Sequence, residues 1–207
     1  MAEDALIKYY ESIINHLIDN KFAVADAFFS KDEVAVLRQS LGDKYEADIF
    51  KKSAIGNGTD KLIATEIRGD FILWIDEQHL NAAEQLYFNK VNHFIAYLNS
   101  TCYLGIVDGE FHYALYPKNS FYKRHLDIFQ NDSRRKLSVV FYLNDDDWQP
   151  EDSGELVIFT QQHGAEKEVV VHPYGGRMVI FDSRELEHEV KPVHRPRKSI
   201  TGWFRTR

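Results

Sequence analysis

The sequence predicts an α+β protein, a double-stranded β-helix (jelly roll) with supporting N-terminal helices. Apolar residues recur at helical spacing through most of residues 1–100. From residue 108 onward, short segments rich in β-branched and aromatic residues alternate with turn-forming residues, and no helix intervenes. A chain of 207 residues suits one domain, so we expect helical support over 1–100 and a jelly-roll core over 108–207.

Three helices are predicted ahead of the core. Ser30 and Glu33 form a capping-box signature for the second helix, and Asn81 with Glu84 marks the start of the third. Amphipathic helices of this kind usually cover one face of a sheet, and we expect that role here. The first helix has an apolar stripe at helical spacing, made of Leu6, Tyr9, Tyr10, Ile13, Ile14, Leu17 and Ile18.

Residues 51–70, between the second and third helices, form a polar stretch that we expect to act as a lid loop. Gly56-Asn57-Gly58 gives this stretch strong turn character. Long irregular loops in compact domains are often lids or binding loops. The apolar segment 71–75, which reads Phe-Ile-Leu-Trp-Ile, follows the loop and predicts a strand.

The core is predicted to consist of short strands with turns between them. Pro117, Gly154, Gly164 and Pro192 are among the turn-forming residues that separate the strands. Strands that are distant in sequence become neighbours in a jelly roll, so residues far apart in the chain can meet at one site. The predicted strands are 110–116, 121–125, 136–144, 155–160, 168–171, 177–181, 187–191 and 197–205.

Composition excludes several classes of protein. The single cysteine, Cys102, rules out an internal disulfide framework and fits a reducing compartment. We see no signal peptide and no apolar run long enough to span a bilayer, so we expect a cytoplasmic protein with no membrane partner. The net charge of -7 argues against nucleic acid as a partner. The C-terminal end is nevertheless rich in arginine and lysine, which indicates a solvated basic edge or part of an anion pocket.

A metal site is predicted from three residues near strand ends. His125 and Asp127 are two positions apart, so both side chains can face the same side of a strand. His188 belongs to a later strand, which a jelly roll can place beside the first. Two imidazoles and one carboxylate that hold one face of an ion and leave the other open are typical of iron(II) oxygenases.

Other ligand sets remain open at this point. A His-x-Asp/Glu motif is expected by chance in a chain with nine histidines, so the motif alone is weak. Zinc in an all-histidine, cupin-like site is an alternative, but strand placement favours His188, and the carboxylate favours iron(II). The histidines that compete as ligands are His112, His163, His172 and His194.

An anion pocket is predicted beside the metal. Arg197 opens the last strand, and the period of two puts its side chain on the face opposite to Lys198. A planar guanidinium suits a carboxylate better than an ammonium does, so Arg197 is assigned to an acidic cosubstrate. Tyr142 and Tyr116 are candidates to contact the same cosubstrate, although a half-buried packing role is the commoner one for tyrosine.

Several spaced motifs resemble the 2-oxoglutarate- and iron(II)-dependent oxygenases, specifically their prolyl 4-hydroxylase branch. The resemblance begins at about residue 67. From there the chain is similar to oxygen-sensing prolyl hydroxylases and their bacterial relatives. Motifs that recur in one order are far more specific than any one of them. They are Ile67-Arg68-Gly69-Asp70, Tyr116-Pro117, Tyr122-x-Arg124-His125-x-Asp127, Tyr142-Leu143-Asn144, His188-Glu189-Val190-x-Pro192 and Arg197-x-x-Ile200-Thr201-x-Trp203.

The resemblance implies a role for each matched residue. Iron would be held by His125, Asp127 and His188. The 2-oxoglutarate site would be formed by Arg197, Tyr142, Tyr116 and Thr201. The protein substrate would be flanked by Arg68, Asp70, Tyr122 and Trp203.

The resemblance also implies an activity, which is hydroxylation of a prolyl residue in an exposed loop of a protein, with release of succinate and CO2. Iron(II), 2-oxoglutarate and O2 would be required, with ascorbate as a reductant, and elongation factor Tu is a candidate target. Two alternatives remain: oxidation of a free amino acid or small metabolite, and metal binding without catalysis. The sequence departs from the family at two places. The stretch from Pro117 to Tyr122 is one residue shorter, and the family's glycine-rich loop is absent after Asp127.

Overall fold

The structure is a computed structural model that describes residues 3–53, 67–128, 134–162 and 164–207. Within these ranges the chain forms α-helices at its N-terminal end and mainly β-strands after them. The helices are α1 (Glu3–Asn20), α2 (Lys31–Glu46) and α3 (Ala82–Cys102). The strands are β1 (Phe22–Ala25), β2 (Lys51–Lys52), β3 (Phe71–Trp74), β4 (Asp108–Tyr116), β5 (Tyr122–His125), β6 (Arg135–Tyr142), β7 (Leu156–Gln162), β8 (Ala165–Val171), β9 (Met178–Asp182), β10 (His188–Val190) and β11 (Arg197–Arg205).

The strands form two antiparallel sheets, which confirms the predicted α+β jelly roll. The larger sheet has the order β1-β9-β6-β11-β4-β3-β2, and the smaller has the order β5-β10-β7-β8. Neighbouring strands in both sheets are often far apart in sequence, as when β11 lies between β4 and β6. This arrangement brings the two sequence regions with predicted metal ligands together, because β5 pairs with β10.

The three helices pack on one face of the larger sheet. Both predicted capping boxes are confirmed: the Ser30 side chain accepts from the Glu33 amide, and the Asn81 side chain accepts from the Glu84 amide. The main apolar core lies between the helices and the sheet, and Leu37 is completely buried in it. In the described ranges, no helix is both long and apolar enough to cross a lipid bilayer.

The opposite face of the larger sheet meets the smaller sheet across a second apolar cluster and a cavity. Alternate residues of β11 divide between these two environments, as the period of two predicts. Ile200 and Phe204 belong to the core under the helices, whereas Arg197, Thr201 and Trp203 line the cavity. One strand therefore supplies both the packing that anchors it and polar groups for a site.

Two strands were not predicted from the sequence. Phe22–Ala25 forms β1, which pairs with β9 at one edge of the larger sheet, and Lys51–Lys52 forms β2 at the other edge. Such short strands carry almost no periodicity of their own, so they depend on a partner strand. At the ends of the expected lid over about 51–70, Lys51–Lys52 pairs in the sheet and Arg68 forms a β-bridge with Tyr122, and the role as a lid stays a prediction. Its central part, 54–66, lies outside the described residues.

Candidate metal centre

His125, Asp127 and His188 converge at the end of the β5–β10 pair. The two histidines occupy partnered positions in the ladder, with ring centroids 4.3 Å apart. Each Nε2 lies 3.5 Å from an oxygen of the Asp127 carboxylate. One ligand atom from each of the three residues lies within 4.8 Å of the others. This spacing allows all three side chains to bind one metal ion.

Backbone carbonyls determine which nitrogen of each histidine faces the metal position. The Nδ1 atom of His125 lies 2.7 Å from the Lys123 carbonyl oxygen, and Nδ1 of His188 lies 3.2 Å from that of Leu186. A carbonyl can only accept, so each Nδ1 carries the proton and each Nε2 presents a lone pair. Both rings are thus oriented as metal ligands before any ion binds.

The electrostatics of the triad favour the protonation states that a metal ion needs. Burial would raise the pKa of Asp127, but His188, His125 and the Ser138 hydroxyl together hold it well below its usual range. Burial lowers the pKa of His188 to about 4, although Asp127 opposes this effect. An ionised Asp127 carboxylate and a neutral His188 imidazole result, and these are the forms that bind divalent metals.

Ser138 supports the triad from the other sheet and was not predicted as a site residue. Its hydroxyl, on β6, donates to Oδ2 of Asp127 over 2.8 Å. Asp127 itself lies just after β5, so this hydrogen bond ties the carboxylate of one sheet to a strand of the other. A signal was present in the sequence, because Ser138 lies on the same face of its strand as Tyr142.

The competing histidines occupy other positions. His112 packs against the rings of Trp74 and Trp203, which also contact each other, and it is not part of the triad. His172 lies 3.6 Å from Glu155, and His194 Nδ1 lies 2.9 Å from the Glu151 carbonyl oxygen. His163 lies outside the described residues. Among the described residues, the metal-ligand cluster thus contains a carboxylate, and this donor set fits iron(II) better than an all-histidine zinc site.

The triad opens into a cavity of about 840 Å³ between the sheets. Thr201 is on the cavity wall and its hydroxyl lies 3.3 Å from that of Ser199. The predicted site residues that line the cavity are His125, Asp127, His188, Arg197, Tyr116, Thr201, Arg68, Tyr122 and Trp203.

Arg197 lies at the closed end of the cavity and has no anionic partner in the described part of the chain. Its side chain is among the largest that are fully buried, and its guanidinium carbon lies 4.9 Å from the ring centroids of both Tyr116 and Tyr142. Its Nε atom and the Tyr142 hydroxyl make no hydrogen bond to the described residues. Burying a charge without a partner is unfavourable, so this end of the cavity fits a carboxylate.

Both tyrosines beside Arg197 are neutral hydrogen-bond donors. Burial raises the pKa of Tyr142, and the opposing effect of Arg197 is smaller. Burial also raises the pKa of Tyr116, with a further increase from Asp70. A phenol that keeps its proton can donate to an anion, so Arg197 and Tyr142 together can hold both oxygens of one carboxylate.

The residues expected to flank a substrate form a stack that leads to the metal ligands. The Tyr122 ring lies on the His125 ring with centroids 3.6 Å apart, and the Arg68 guanidinium lies 4.2 Å from the Tyr122 centroid. Asp70 is buried behind Arg68 and accepts from its Nε and Nη2 atoms at 2.8 and 2.6 Å. Arg68 and Tyr122 therefore face the cavity, whereas Asp70 holds Arg68 in place.

The two sequence departures lie beside this stack. After Pro117 the chain turns tightly, and the Pro117 carbonyl accepts from the Ser120 amide and hydroxyl. After Asp127, Ile128 lines the cavity, and residues 129–133 lie outside the described part of the chain.

Comparison with known proteins agrees with this geometry. Residues 111–205 match the 2OG-Fe(II) oxygenase superfamily. The crystal structure of a Pseudomonas putida prolyl-4-hydroxylase is 35% identical, with a TM-score of 0.83, over 96% of this chain and 99% of that chain. A Trichoplax adhaerens prolyl hydroxylase, solved in complex with a peptide fragment of the hypoxia inducible factor oxygen degradation domain, is 26% identical, with a TM-score of 0.85, over 99% of this chain and 94% of that chain.

A curated relative is longer than this chain. The hypoxia-inducible factor prolyl hydroxylase of Caenorhabditis elegans is 26% identical in an alignment of 203 positions that covers 94% of this chain but 28% of that protein. The chain thus spans less than a third of the length of this relative. The match to the bacterial enzyme, by contrast, extends over nearly the whole of both chains. This chain belongs to the 2-oxoglutarate- and iron(II)-dependent oxygenase superfamily, in its prolyl hydroxylase branch.

Proposed function

We propose that this protein is a 2-oxoglutarate- and iron(II)-dependent dioxygenase that hydroxylates a prolyl residue of a protein substrate. One oxygen atom of O2 enters the target and the other enters succinate, while the 1-carboxyl group of 2-oxoglutarate leaves as CO2. The observation that carries the proposal is the pairing of two sites in one cavity. Three residues that could hold a metal ion lie at one position, and Arg197, buried without an anionic partner among the described residues, lies at the closed end.

Arg197 and Tyr142 determine how 2-oxoglutarate is oriented. The guanidinium binds the distal carboxylate, and the Tyr142 hydroxyl donates a further hydrogen bond to it. The 2-oxo acid end is thereby directed towards His125, Asp127 and His188. When bound there, iron(II) activates O2 and couples decarboxylation of 2-oxoglutarate to oxidation of a C–H bond. Burial of these groups between the two sheets excludes water from the cosubstrate.

Arg68 and Tyr122 hold the substrate side of the metal site. The Asp70 carboxylate fixes the Arg68 guanidinium, which packs on Tyr122, and Tyr122 packs on His125. Movement of the His125 ring is restricted by this stack, and a target residue can be positioned against it. A protein substrate is supported by the Trichoplax adhaerens relative, which was solved with a peptide fragment. Elongation factor Tu is the first candidate target, on the basis of family resemblance.

The experiment is incubation of the purified protein with iron(II), 2-oxoglutarate, ascorbate and isotopically labelled O2. Elongation factor Tu and a complete cell lysate serve as targets. Succinate is measured by chromatography and labelled oxygen by peptide mass spectrometry. We expect one labelled oxygen atom on a proline and an equal amount of succinate. The Asp127→Ala variant is the control, because loss of the carboxylate removes one of the three metal ligands.

The outcomes separate the alternatives. Succinate formation stimulated by a free amino acid, with no labelled protein, would favour a small-molecule substrate. Metal binding without any succinate would indicate a non-catalytic protein. If the labelled oxygen is found only on residues other than proline, the oxygenase assignment is kept and the prolyl substrate is rejected.

A further inference from the structure

Polar atoms that are buried without a hydrogen-bond partner among the described residues occur at two places around the cavity. At the closed end they are Arg197 Nε and the Tyr142 hydroxyl, which the proposed 2-oxoglutarate site explains. Elsewhere on the cavity wall, the buried polar atoms without such a partner are Nδ1 of His112 and Nε1 of Trp203. Buried polar atoms are rarely left unpaired, so the second pair also indicates a ligand group.

His112 lies too far along the sheet to share the cosubstrate with Arg197. In the β4–β11 ladder Arg197 is opposite Tyr116, and Thr201 is opposite His112. The two positions are therefore four residues apart, which corresponds to about 13 Å along a strand. A five-carbon dicarboxylate held by Arg197 does not extend over that distance. The occupant of the His112 position is thus a different group.

The wall formed by His112 and Trp203 connects the metal site to the surface. Trp74, whose ring centroid is 4.9 Å from that of His112, is 49% exposed, whereas Arg197 is 2% exposed. On the inner side the Arg135 guanidinium lies 3.4 Å from the Trp203 ring centroid and its Nη1 lies 3.4 Å from the Asp127 carbonyl oxygen. A substrate that extends from the surface at Trp74 to the metal ligands in the same cavity would contact this wall.

The hydrogen-bonding capacity of the wall is defined by two groups. His112 is neutral, because burial, with a contribution from Arg68, lowers its pKa to about 3. A neutral imidazole has one nitrogen that donates and one that accepts, and Nε1 of Trp203 can only donate. A peptide group offers the complementary pair, with a carbonyl that accepts and an N–H that donates. The rings of Trp74 and Trp203 are flat apolar surfaces beside them.

We propose that His112 and Trp203 bind a main-chain amide of the target, next to the residue that is oxidised. This inference rests on the proposed function, since it requires a polypeptide substrate. His112 is then a substrate-positioning residue that selects a peptide over a free amino acid, because a free amino acid has no amide group to pair with it. Recognition of the main chain is independent of the neighbouring side chains of the target.

The test uses two small probes, N-acetyl-L-proline N′-methylamide and the methyl ester of N-acetyl-L-proline. The ester lacks the amide N–H but keeps the ring and both carbonyl groups. Binding is measured by NMR titration of the zinc-loaded protein with N-oxalylglycine, an inert analogue of 2-oxoglutarate, so no turnover is needed. We expect the wild type to bind the amide about fivefold more tightly than the ester, as a single hydrogen bond predicts.

The variants His112→Met and His112→Gln separate hydrogen bonding from shape. Methionine fills similar space without a strong hydrogen-bonding group, so the preference for the amide should disappear. Glutamine has both a donor and an acceptor, so part of the preference should return. His16→Met, at an exposed position on α1, is the matched control and should keep the full preference for the amide. N-oxalylglycine affinity should be unchanged in all three variants.

Each contrary result has a defined meaning. Equal affinity of the wild type for amide and ester, or no binding of either probe, would overturn the role of His112 and leave the proposed function intact. Equal losses in His112→Met and His112→Gln at an unchanged melting temperature would show that the ring shape matters and would also overturn it. Tighter binding of free L-proline than of both probes would contradict the polypeptide substrate, and with it the proposed function.

Discussion

Replacement of Arg197 by methionine tests the cosubstrate end of the cavity. Methionine has a similar length and no charge, so the variant removes the ionic contact and keeps most of the volume. Arg197 is 2% exposed, so a carboxylate bound to it is shielded from water. Truncation of one partner of a buried charge pair typically costs 2–5 kcal/mol, which corresponds to roughly 30-fold to several-thousand-fold weaker binding of 2-oxoglutarate.

The same variant should behave differently without 2-oxoglutarate. The wild type then holds a buried guanidinium with no anionic partner among the described residues, which opposes folding. Arg197→Met removes that cost, so its melting temperature should equal or exceed that of the wild type. At a 2-oxoglutarate concentration 100 times the dissociation constant, the wild type should gain about 2.7 kcal/mol, or roughly 5–11 °C for a domain of this size. The variant should show almost no increase at the same concentration.

The assay is isothermal titration calorimetry together with differential scanning calorimetry on the zinc-loaded protein, which prevents turnover. Arg197→Lys should lie between wild type and Arg197→Met, because an ammonium keeps the charge without the bidentate geometry. Lys198→Met, on the opposite face of β11, is the matched control and should bind 2-oxoglutarate normally. Wild-type affinity in Arg197→Met would refute the assignment of the anion site.

Three further predictions concern the metal ligands, the cosubstrate and the core. Ser138→Ala removes the hydrogen bond to Asp127 and should weaken metal binding about 10- to 100-fold, as measured by competition with a chelator. An unchanged metal affinity would show that Ser138 does not orient the carboxylate. Tyr142→Phe should weaken 2-oxoglutarate binding by roughly tenfold to a hundredfold, with no loss of melting temperature in the free protein, because the hydroxyl has no partner among the described residues. Leu37→Ala, at a fully buried position on α2, should lower the free energy of unfolding by about 2–5 kcal/mol in urea titrations, and a loss below about 1 kcal/mol would mean that the core collapses around the site.

Local features of the fold were predictable because their causes lie within a few residues. A capping box joins positions three apart, so Ser30 with Glu33 and Asn81 with Glu84 could be recognised directly. The strand period likewise assigned Arg197 to one face of β11. The short edge strands β1 and β2 could not be predicted, since their pairing partners β9 and β3 lie elsewhere in the chain.

The candidate site was predictable in its residue types and only partly in its contacts. His125, Asp127, His188 and Arg197 meet in one cavity, as their spacing and order predicted. The sequence did not reveal that Asp70 lies behind Arg68, or that Ser138 reaches Asp127 from the other sheet. Such contacts depend on which strands face each other, and no local pattern encodes that choice.

By itself, the sequence determined the number and kind of chemical groups that this protein can bring to a metal and an acid. The sequence favoured His188 among several histidines, and the tertiary structure decided that choice, because the β5–β10 ladder puts His188 opposite His125 and leaves His112 on another wall. The physical reason is that side-chain identity is a local property, whereas proximity follows from strand pairing across the whole chain. The pairing of β11 with β4 and β6 also buries Arg197, so an arginine, a residue type that is usually exposed, becomes an anion site.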